Sequence, residues 1–575
     1  MHWSFSKLQH GLLLPIILGI LWQCHAQSHA QDADTAIDLR PIYMAQWTRS
    51  STLAWASLNP TGTLPTPVPQ RFLHGNVPLG SLWKLFYWLY STGNHLPDLP
   101  YRCQSPAIPT DVYCCDAGQS IQRNQALLRS CSTYFLLLRP HIDPQTWQHW
   151  WQQQAPHSPW LARLANLRPD YSLSVVQLLS ALQEISLKDE ARLALLPRFL
   201  QPAWQNFLAE AGSGYRFKTF TWDDPDHPGA VLGGSAGWLY DGTPFWIAGA
   251  GSSTQVMNRS AALLGQRLLR QAQADNNHLD SCVDVQFFSR YPLNTVSDSQ
   301  GQPLHWSGSV PGTVYLRFVN GQRLRVESND RLHVDLQQAH PVLSARLSLE
   351  DYIARVIDRE AHPAATQAAY ALAIAARTWL IQNAAFAHGC WQVEDDSRQQ
   401  RVSPSPPSPL AWQDALFTEG LALEGQSVTY QQQGQLTDRL SWEQAVQEEQ
   451  RGLNYLSILK TAFPASVLTT LSGESNCLRL YAVENWLQQR LPHVNPLLYQ
   501  QPGYEPVAHL MICQLNYGTP YADQRQEILW IRRLWSHEDH ISLWHEYLHL
   551  AFKNHPNGAN ERYIEQWATT LAQDN

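Results

Sequence analysis

The residues His545-Glu546-Tyr547-Leu548-His549 combine the residue types and the spacing of a metal-dependent hydrolase. Histidines four positions apart lie on one face of a helix, so the rings of His545 and His549 can bind a single zinc ion. Glu546 is placed to act as general base on a water molecule bound to that metal. The motif therefore predicts a zinc metallohydrolase centre, against the plainer alternative of a surface helix with solvated side chains.

The residues around the motif predict the elements that position it. Residues 527–531 have the composition of a strand, and residues 540–553 have the apolar periodicity of a helix. Pro556 and Gly558 end that helix, and a second helix over residues 559–572 carries two acidic residues. A catalytic zinc site takes three protein ligands and keeps one position open, so the third ligand must come from outside the motif.

The pair Asn560-Glu561 resembles the asparagine-glutamate pair of the gluzincin metallopeptidases. The resemblance implies a small zincin-like carboxy-terminal domain in which Glu561 is the third zinc ligand. It also implies that Glu565, one helical turn further on, supports the site. Glu565 and His555 remain alternatives for the third ligand.

A second group of residues could carry out nucleophilic chemistry. Ser81 and Lys84 form an SxxK motif, in which the lysine lies one helical turn from the serine and can accept its hydroxyl proton. The motif alone is weak, because the chain contains two other matches. Ser130 and the pair Lys218-Thr219 follow in order, and the latter lies in a predicted strand over residues 215–222.

These segments resemble the three sequence motifs of serine penicillin-binding proteins and β-lactamases. The resemblance implies an α/β domain in which Ser81 is the acylated nucleophile and Lys84 is its base. Ser130 would relay the proton, while Lys218 and Thr219 would hold the carboxylate of the substrate.

Two positions depart from the pattern of that family. Ser132 stands where the family has asparagine, and Phe220 stands where it has a glycine that lets a substrate backbone approach the strand. We expect Phe220 to block or reshape the substrate groove. Further on, Asp241-Gly242 predicts the turn of a β-hairpin, which matches the strand pair that the family has there.

The middle of the chain contains a third candidate site. Ser348 begins a predicted helix that ends at Glu360, and an alanine-rich helix is predicted over residues 364–385. With further matching blocks up to residue 470, this segment resembles the stage II sporulation protein D family over about residues 300–470. The resemblance implies that Glu360 is the general acid of a lytic transglycosylase that cleaves the glycan strand of murein. An exposed glutamate at a helix end is the alternative, since related amidase-enhancer proteins share the motif as stimulators.

The amino terminus predicts export. Lys7 precedes an apolar run over residues 12–22 and the small residues Ala26 and Ala30, which is the pattern of a cleaved signal peptide. Cys24 suggests a lipoprotein, but the bulky residues before it do not fit that signal. Removal of the signal peptide leaves eight of nine cysteines in an oxidising space. Disulfides are therefore expected within the first domain, among Cys103, Cys114, Cys115 and Cys131.

Length and composition predict a multidomain protein. The chain has 575 residues, a net charge of −8 and 44% hydrophobic residues, which disfavours nucleic acid as a partner and leaves at most peripheral membrane contact. We predict a multidomain α/β and α+β architecture. Its parts are a signal peptide (1–26), a penicillin-binding-protein-like domain (38–270), a sporulation protein D-like domain (275–472) and a zincin-like domain (476–575).

This order of domains resembles the YfaQ-type secreted bacterial proteins, which are encoded near a bacterial α2-macroglobulin. We predict a periplasmic hydrolase that remodels peptidoglycan through a zinc-dependent peptidase or amidase site, with peptidoglycan as its partner. The alternative is a non-catalytic accessory that retains degenerate enzyme folds and binds murein or a bacterial α2-macroglobulin-like protein.

Overall fold

The computed structural model describes most of the chain, and the predicted signal peptide lies outside the described residues. They are residues 40–48, 52–58, 66–104, 113–115, 117–271, 282–328, 331–361, 366–387, 390–396, 400–434, 439–471, 480–507, 510–514, 520–524, 527–531, 534 and 536–573. No helix in these ranges combines the length and the apolar character that a membrane span needs.

An antiparallel five-stranded sheet organises residues 40–271. Its strands are β1 (Ile42–Trp47), β2 (Leu53–Ser57), β3 (Arg216–Asp223), β4 (Val231–Trp238) and β5 (Pro244–Ala250). They lie in the order β2-β1-β5-β4-β3, and the predicted hairpin is confirmed as β4–β5, with Gly242 at a φ of 76° in its turn. The sheet thereby places β3, which carries Lys218, at one edge.

Helices cover both faces of this sheet. They are α1 (Trp83–Gly93), α2 (Arg123–Arg129), α3 (Ser132–Leu138), α4 (Pro144–Gln154), α5 (Val175–Glu184), α6 (Lys188–Leu195), α7 (Gln205–Ala211) and α8 (Ser253–Gln271). Apolar residues of α1 to α6 form one core with the sheet, while α7 and α8 pack on its other face. The disulfides expected in the first domain are confirmed as Cys103–Cys115 and Cys114–Cys131, and they lie in the core that α1 to α6 form with the sheet.

A mixed six-stranded sheet and a smaller three-stranded sheet follow. The strands are β6 (Cys282–Phe287), β7 (Leu293–Ser297), β8 (Gly308–Val310), β9 (Thr313–Phe318), β10 (Arg323–Glu327), β11 (Leu332–Asp335), β12 (Val342–Ser348), β13 (Ala385–Ala387) and β14 (Cys390–Glu394). The larger sheet has the order β8-β11-β12-β6-β14-β13 and the smaller one β7-β9-β10. Only β6 and β14 pair in parallel among these strands, and the Cys282–Cys390 disulfide joins them.

Helices of the middle part pack against one face of the larger sheet. They are α9 (Leu349–Glu360), α10 (Thr366–Asn383), α11 (Pro409–Phe417), α12 (Trp442–Gln450) and α13 (Tyr455–Ala462), beside the strand pair β15 (Leu421–Glu424) and β16 (Val467–Thr470). Their apolar side chains share one continuous core with α7 and α8. Across this contact the hydroxyl of Tyr455 donates to the carbonyl of Leu208 at 2.9 Å, and that of Ser213 donates to the carbonyl of Glu419 at 2.8 Å.

The last part of the chain has its own core. It comprises α14 (Tyr481–Leu498), a three-stranded sheet and two carboxy-terminal helices, α15 (His537–Ala551) and α16 (Glu561–Gln573). The sheet has the order β17-β19-β18, from β17 (Met511–Gln514), β18 (Tyr521–Asp523) and β19 (Ile528–Ile531). Helix α15 begins three residues before its predicted start, because Ser536 and Asp539 form a capping box.

Candidate functional site

Three side chains of α15 and α16 converge in the way a metal site requires. His545 Nε2 lies 3.1 Å from His549 Nε2 and 3.1 Å from Glu561 Oε2, and His549 Nε2 lies 3.5 Å from the same oxygen. One ligand atom from each of the three residues lies within 4.8 Å of the others. The turn between the helices folds α16 back along α15, which brings Glu561 to the two rings.

The outer nitrogens of both histidines have fixed partners. His545 Nδ1 lies 2.7 Å from Glu565 Oε2, and His549 Nδ1 lies 3.2 Å from the carbonyl of Gly558. Acceptors at Nδ1 hold the proton there, so each Nε2 presents its lone pair towards Glu561. Two imidazole nitrogens and one carboxylate are a donor set that suits zinc, and the residues present therefore fit that metal.

The geometry separates the three candidates for the third ligand. Glu561 faces both Nε2 atoms, whereas Glu565 is used as the partner of His545 Nδ1. His555 is buried in the turn, where its Nδ1 accepts from the amide of Asn557 at 2.8 Å and its Nε2 contacts the hydroxyl of Tyr563 at 3.3 Å. The structure therefore brings together His545, His549 and Glu561 and leaves His555 outside.

Glu546 lies beside this cluster and is buried, at 8% exposure. Burial raises the pKa of Glu546 to about 7, His545 opposes the rise, and Glu561 adds to it. The backbone amide of Ala522, in the edge strand β18, opposes the rise in this pKa as well. Burial also lowers the pKa of His549. Glu546 therefore lies next to the histidine pair and close to an edge strand, with a pKa near neutrality, which is a requirement for a general base.

The serine motif of the amino-terminal part also assembles. Lys84 Nζ donates to Ser81 Oγ and to Ser130 Oγ, both at 3.1 Å. Lys218 Nζ donates to Ser130 Oγ at 2.8 Å and to the carbonyl of Thr219, its neighbour on β3, at 3.0 Å. The structure thus connects the predicted nucleophile, base and relay through two lysines and three hydrogen bonds.

Both lysines of this network are buried. Desolvation lowers the pKa of Lys84 to about 8, and burial, with the nearby charges of Lys84 and Arg198, holds the pKa of Lys218 well below its ordinary value. Ser81 is half-buried in the middle of a short 3₁₀ turn, Gly80–Leu82. A neutral amine beside a serine hydroxyl can remove its proton, which is the first requirement for acyl transfer.

Local backbone geometry sets the positions of the two serines. Gly80 has a φ of 50°, and a Cβ at this position would lie 3.1 Å from Phe220 Cβ, so a glycine is required before Ser81. Ser130 has a φ of 64° where α2 ends, a conformation that is uncommon for residues other than glycine. Such strain is frequent at functional sites.

The two departures from the penicillin-binding pattern lie close to this network. Ser132 begins α3, directly after the disulfide-bonded Cys131. Phe220 is 1% exposed, and its ring stacks at 4.5 Å on Trp222 and at 6.1 Å on Trp246. The ring is therefore packed in the core, and its effect on a substrate groove stays a prediction.

Glu360 lies at the end of α9, as predicted, but it is engaged in an ion pair. Arg401 donates to its two carboxylate oxygens at 2.9 and 2.6 Å and adds a backbone hydrogen bond at 3.2 Å. The side chain of Gln432 donates to the backbone carbonyl of Glu360. A general acid needs a free oxygen that faces the substrate, so the predicted role of Glu360 requires Arg401 to move.

Sequence reasoning missed several residues that shape these sites. Gly558 was assigned only as a helix terminator, yet its carbonyl orients His549. No local pattern connects Arg401 to Glu360, 41 residues away. The capping box of α15 was readable from Ser536 and Asp539, three positions apart.

Comparison with known proteins identifies related families. A family model described as a predicted secreted protein (DUF2300) matches residues 108–229 and 438–557, and the latter stretch contains the histidine motif. A model described as stage II sporulation protein matches residues 338–408, which is shorter than the predicted resemblance but includes Glu360. A protein of Escherichia coli (strain K12) called uncharacterized protein YfaQ is 36% identical over 499 residues, 86% of this chain and 90% of that protein.

Solved structures align with about two fifths of the chain. A chromosome-encoded β-lactamase of Vibrio parahaemolyticus is 14% identical with a TM-score of 0.25, over 41% of this chain and 94% of its own. The penicillin-binding protein PonA1 from Mycobacterium tuberculosis is 13% identical with a TM-score of 0.29, over 44% and 82%. At these TM-scores the likenesses carry no weight of their own, so roles are assigned from side-chain geometry.

Proposed function

The chain belongs to the YfaQ family of secreted proteins, and we propose that it is a periplasmic cell-wall hydrolase with a zinc-dependent peptidase or amidase site between α15 and α16. The convergence of His545, His549 and Glu561 on one point carries this proposal. Its substrates would be the peptide stems of peptidoglycan, or the amide bond that joins them to the glycan. The match to a sporulation protein in the middle of the chain supports a role at the cell wall.

The residues around the cluster have separable roles in such a reaction. Bound Zn²⁺ would supply Lewis-acid chemistry, which activates water and polarises the scissile carbonyl. Glu546 accepts the proton from the attacking water and returns it to the leaving nitrogen. Glu565 and Gly558 hold the two imidazoles in the required tautomer, and β18 offers its edge to an extended peptide.

Purified chain incubated with isolated sacculi tests this function. We expect release of soluble peptide fragments with zinc present, loss of release after chelation, and recovery when zinc is added back. Sacculi that release no fragments under any of these conditions would count against hydrolysis. Analysis of the new termini would show whether a peptide bond or an amide to the glycan is cut.

The serine network favours a second activity in the amino-terminal part. Lys84 lies between Ser81 and Ser130, and Lys218 lies on the far side of Ser130. This arrangement supports acylation of Ser81 by a substrate or antibiotic that carries an activated amide and a carboxylate. In this proposal Lys218 and Thr219 hold the carboxylate.

Acylation of Ser81 is expected to accelerate as the pH rises through about 8. Lys84 must be neutral to accept the proton of Ser81, and desolvation lowers its pKa to about 8. Below that pH most Lys84 is protonated, so the rate falls roughly tenfold for each pH unit. Labelling rates with a fluorescent penicillin between pH 6 and 9.5 would measure this, and a flat profile over that range would exclude Lys84 as the base.

A non-catalytic accessory is the alternative function. The substitutions at Ser132 and Phe220, together with the ion pair that engages Glu360, favour it. Such an accessory would recognise murein or a bacterial α2-macroglobulin-like protein through folds that have lost their chemistry. Absence of both sacculus hydrolysis and penicillin labelling would favour this alternative.

A further inference from the structure

A groove of about 1110 Å³ crosses the open face of the six-stranded sheet. Every strand contributes to its lining, through Ser309, His333, Arg346, Asp284, Gln392 and Ala385. Neighbouring strands lie about 4.8 Å apart, so six strands span about 24 Å from first to last. The volume of the groove exceeds the roughly 300–1,000 Å³ of the pockets that small ligands occupy. Its length suits a linear chain of several units.

The groove is separate from the predicted glutamate site. Strand residues alternate between faces, so Val283, Leu343 and Leu347 lie on the side away from Asp284 and Arg346. These three residues are buried in the core that includes α9, and Glu360 stands at the end of that helix. The groove therefore occupies the opposite face of the sheet and has no predicted role.

Planar polar groups cover the floor. Arg346 donates to both carboxylate oxygens of Asp284, at 2.8 and 3.0 Å, and the amide of Gln392 donates to the same carboxylate at 3.2 Å. With Arg331 and Glu394 the lining holds two positive and two negative side chains besides His333. The charges balance, so the groove has no electrostatic preference for a polyanion or a polycation.

The floor is rigid, and its backbone groups are already paired. The Cys282–Cys390 disulfide joins β6 and β14, and the central strands pair on both sides. An extended peptide bound by backbone pairing needs a sheet edge, which this face does not offer. The equatorial hydroxyl groups of a sugar ring, by contrast, pair well with carboxylate, guanidinium and amide side chains that already lie fixed in one layer.

An aromatic side chain lies at one end of the groove. Trp379, near the end of α10, is half-buried, and its carbonyl accepts from the side chain of Asn383 at 2.9 Å. An indole face offers an apolar surface to the C–H face of a sugar ring. We propose that this groove is a non-catalytic binding site for a linear, neutral oligosaccharide, with Trp379 stacking on one ring and the polar floor holding hydroxyl groups.

Calorimetric titration of the full chain with chitotetraose tests the proposal. We expect binding that weakens at least tenfold in both Trp379→Ala and Gln286→Ala, since the side chain of Gln286 is exposed in the groove. The control Tyr315→Ala removes an exposed aromatic ring from the three-stranded sheet, outside the groove, and should leave affinity unchanged. Circular dichroism would confirm that each variant folds.

The outcomes are distinct from those of the zinc proposal. His549→Ala should bind the sugar as well as the unchanged chain does, because the zinc cluster contributes nothing to the groove lining. Absence of binding, or full affinity in either groove variant, would overturn the proposal. Displacement of the sugar by polyglutamate or by a stem tetrapeptide would overturn it as well, because it would assign the groove to another ligand class.

Discussion

Replacing Glu546 by glutamine is expected to slow the hydrolysis of murein peptides about 100- to 10,000-fold, the usual contribution of a general base. Glutamine keeps the size of the side chain and its place beside β18 but cannot accept a proton. The metal ligands are untouched, so the variant should retain zinc. Initial rates of fragment release from sacculi, with metal content measured on the same samples, provide the test.

Glu538→Gln is the matched control for this variant. Glu538 is an exposed glutamate in the first turn of the same helix, so its change removes an equal charge without reaching the cluster. Its hydrolysis rate should match that of the unchanged chain. If Glu546→Gln keeps the full rate, Glu546 takes no part in the chemistry. If the variant loses zinc, Glu546 has a structural role in the metal site.

Replacing Ser81 by alanine is expected to abolish covalent labelling by a fluorescent penicillin. Ser81 lies in the 3₁₀ turn just before α1, and its Oγ accepts a hydrogen bond from Lys84, a lysine of lowered pKa. Removing it leaves Lys84 and Ser130 in contact, so the fold should persist. Intact-mass measurement after labelling detects one adduct per chain in the unchanged protein and none in the variant.

Ser457→Ala provides the comparison. Ser457 belongs to another SxxK match, but its hydroxyl donates to Asn454 at a helix start, while Lys460 Nζ donates to the carbonyl of Pro464. Its labelling should therefore be unchanged. An adduct that persists in Ser81→Ala would place the reactive residue elsewhere in the chain.

Local patterns predicted the parts of both sites that depend on short spacing. His545 and His549 lie on one helix, and Ser81 and Lys84 lie one turn apart, because helical geometry dictates both. Helix boundaries followed capping residues, and Ser348 begins α9 as predicted. The disulfides formed within the predicted cysteine group, although their pairing was not readable from spacing.

Contacts between distant segments could not be read from the sequence. Glu419 accepts from Arg192 and Arg216, both more than 200 residues earlier, and these ion pairs help join the first two predicted domains. Glu360 and Arg401 come from separate elements, and nothing in either segment signals their pairing. Such contacts depend on how whole layers pack, which hydrophobic periodicity does not specify.

Metal content of the purified full chain tests the proposed zinc site. We expect one zinc per chain in the unchanged protein, one in Glu546→Gln and almost none in His549→Ala, because that change removes one of the three proposed protein ligands. Unchanged protein that binds no zinc, or a stoichiometric metal that survives in His549→Ala, would contradict it.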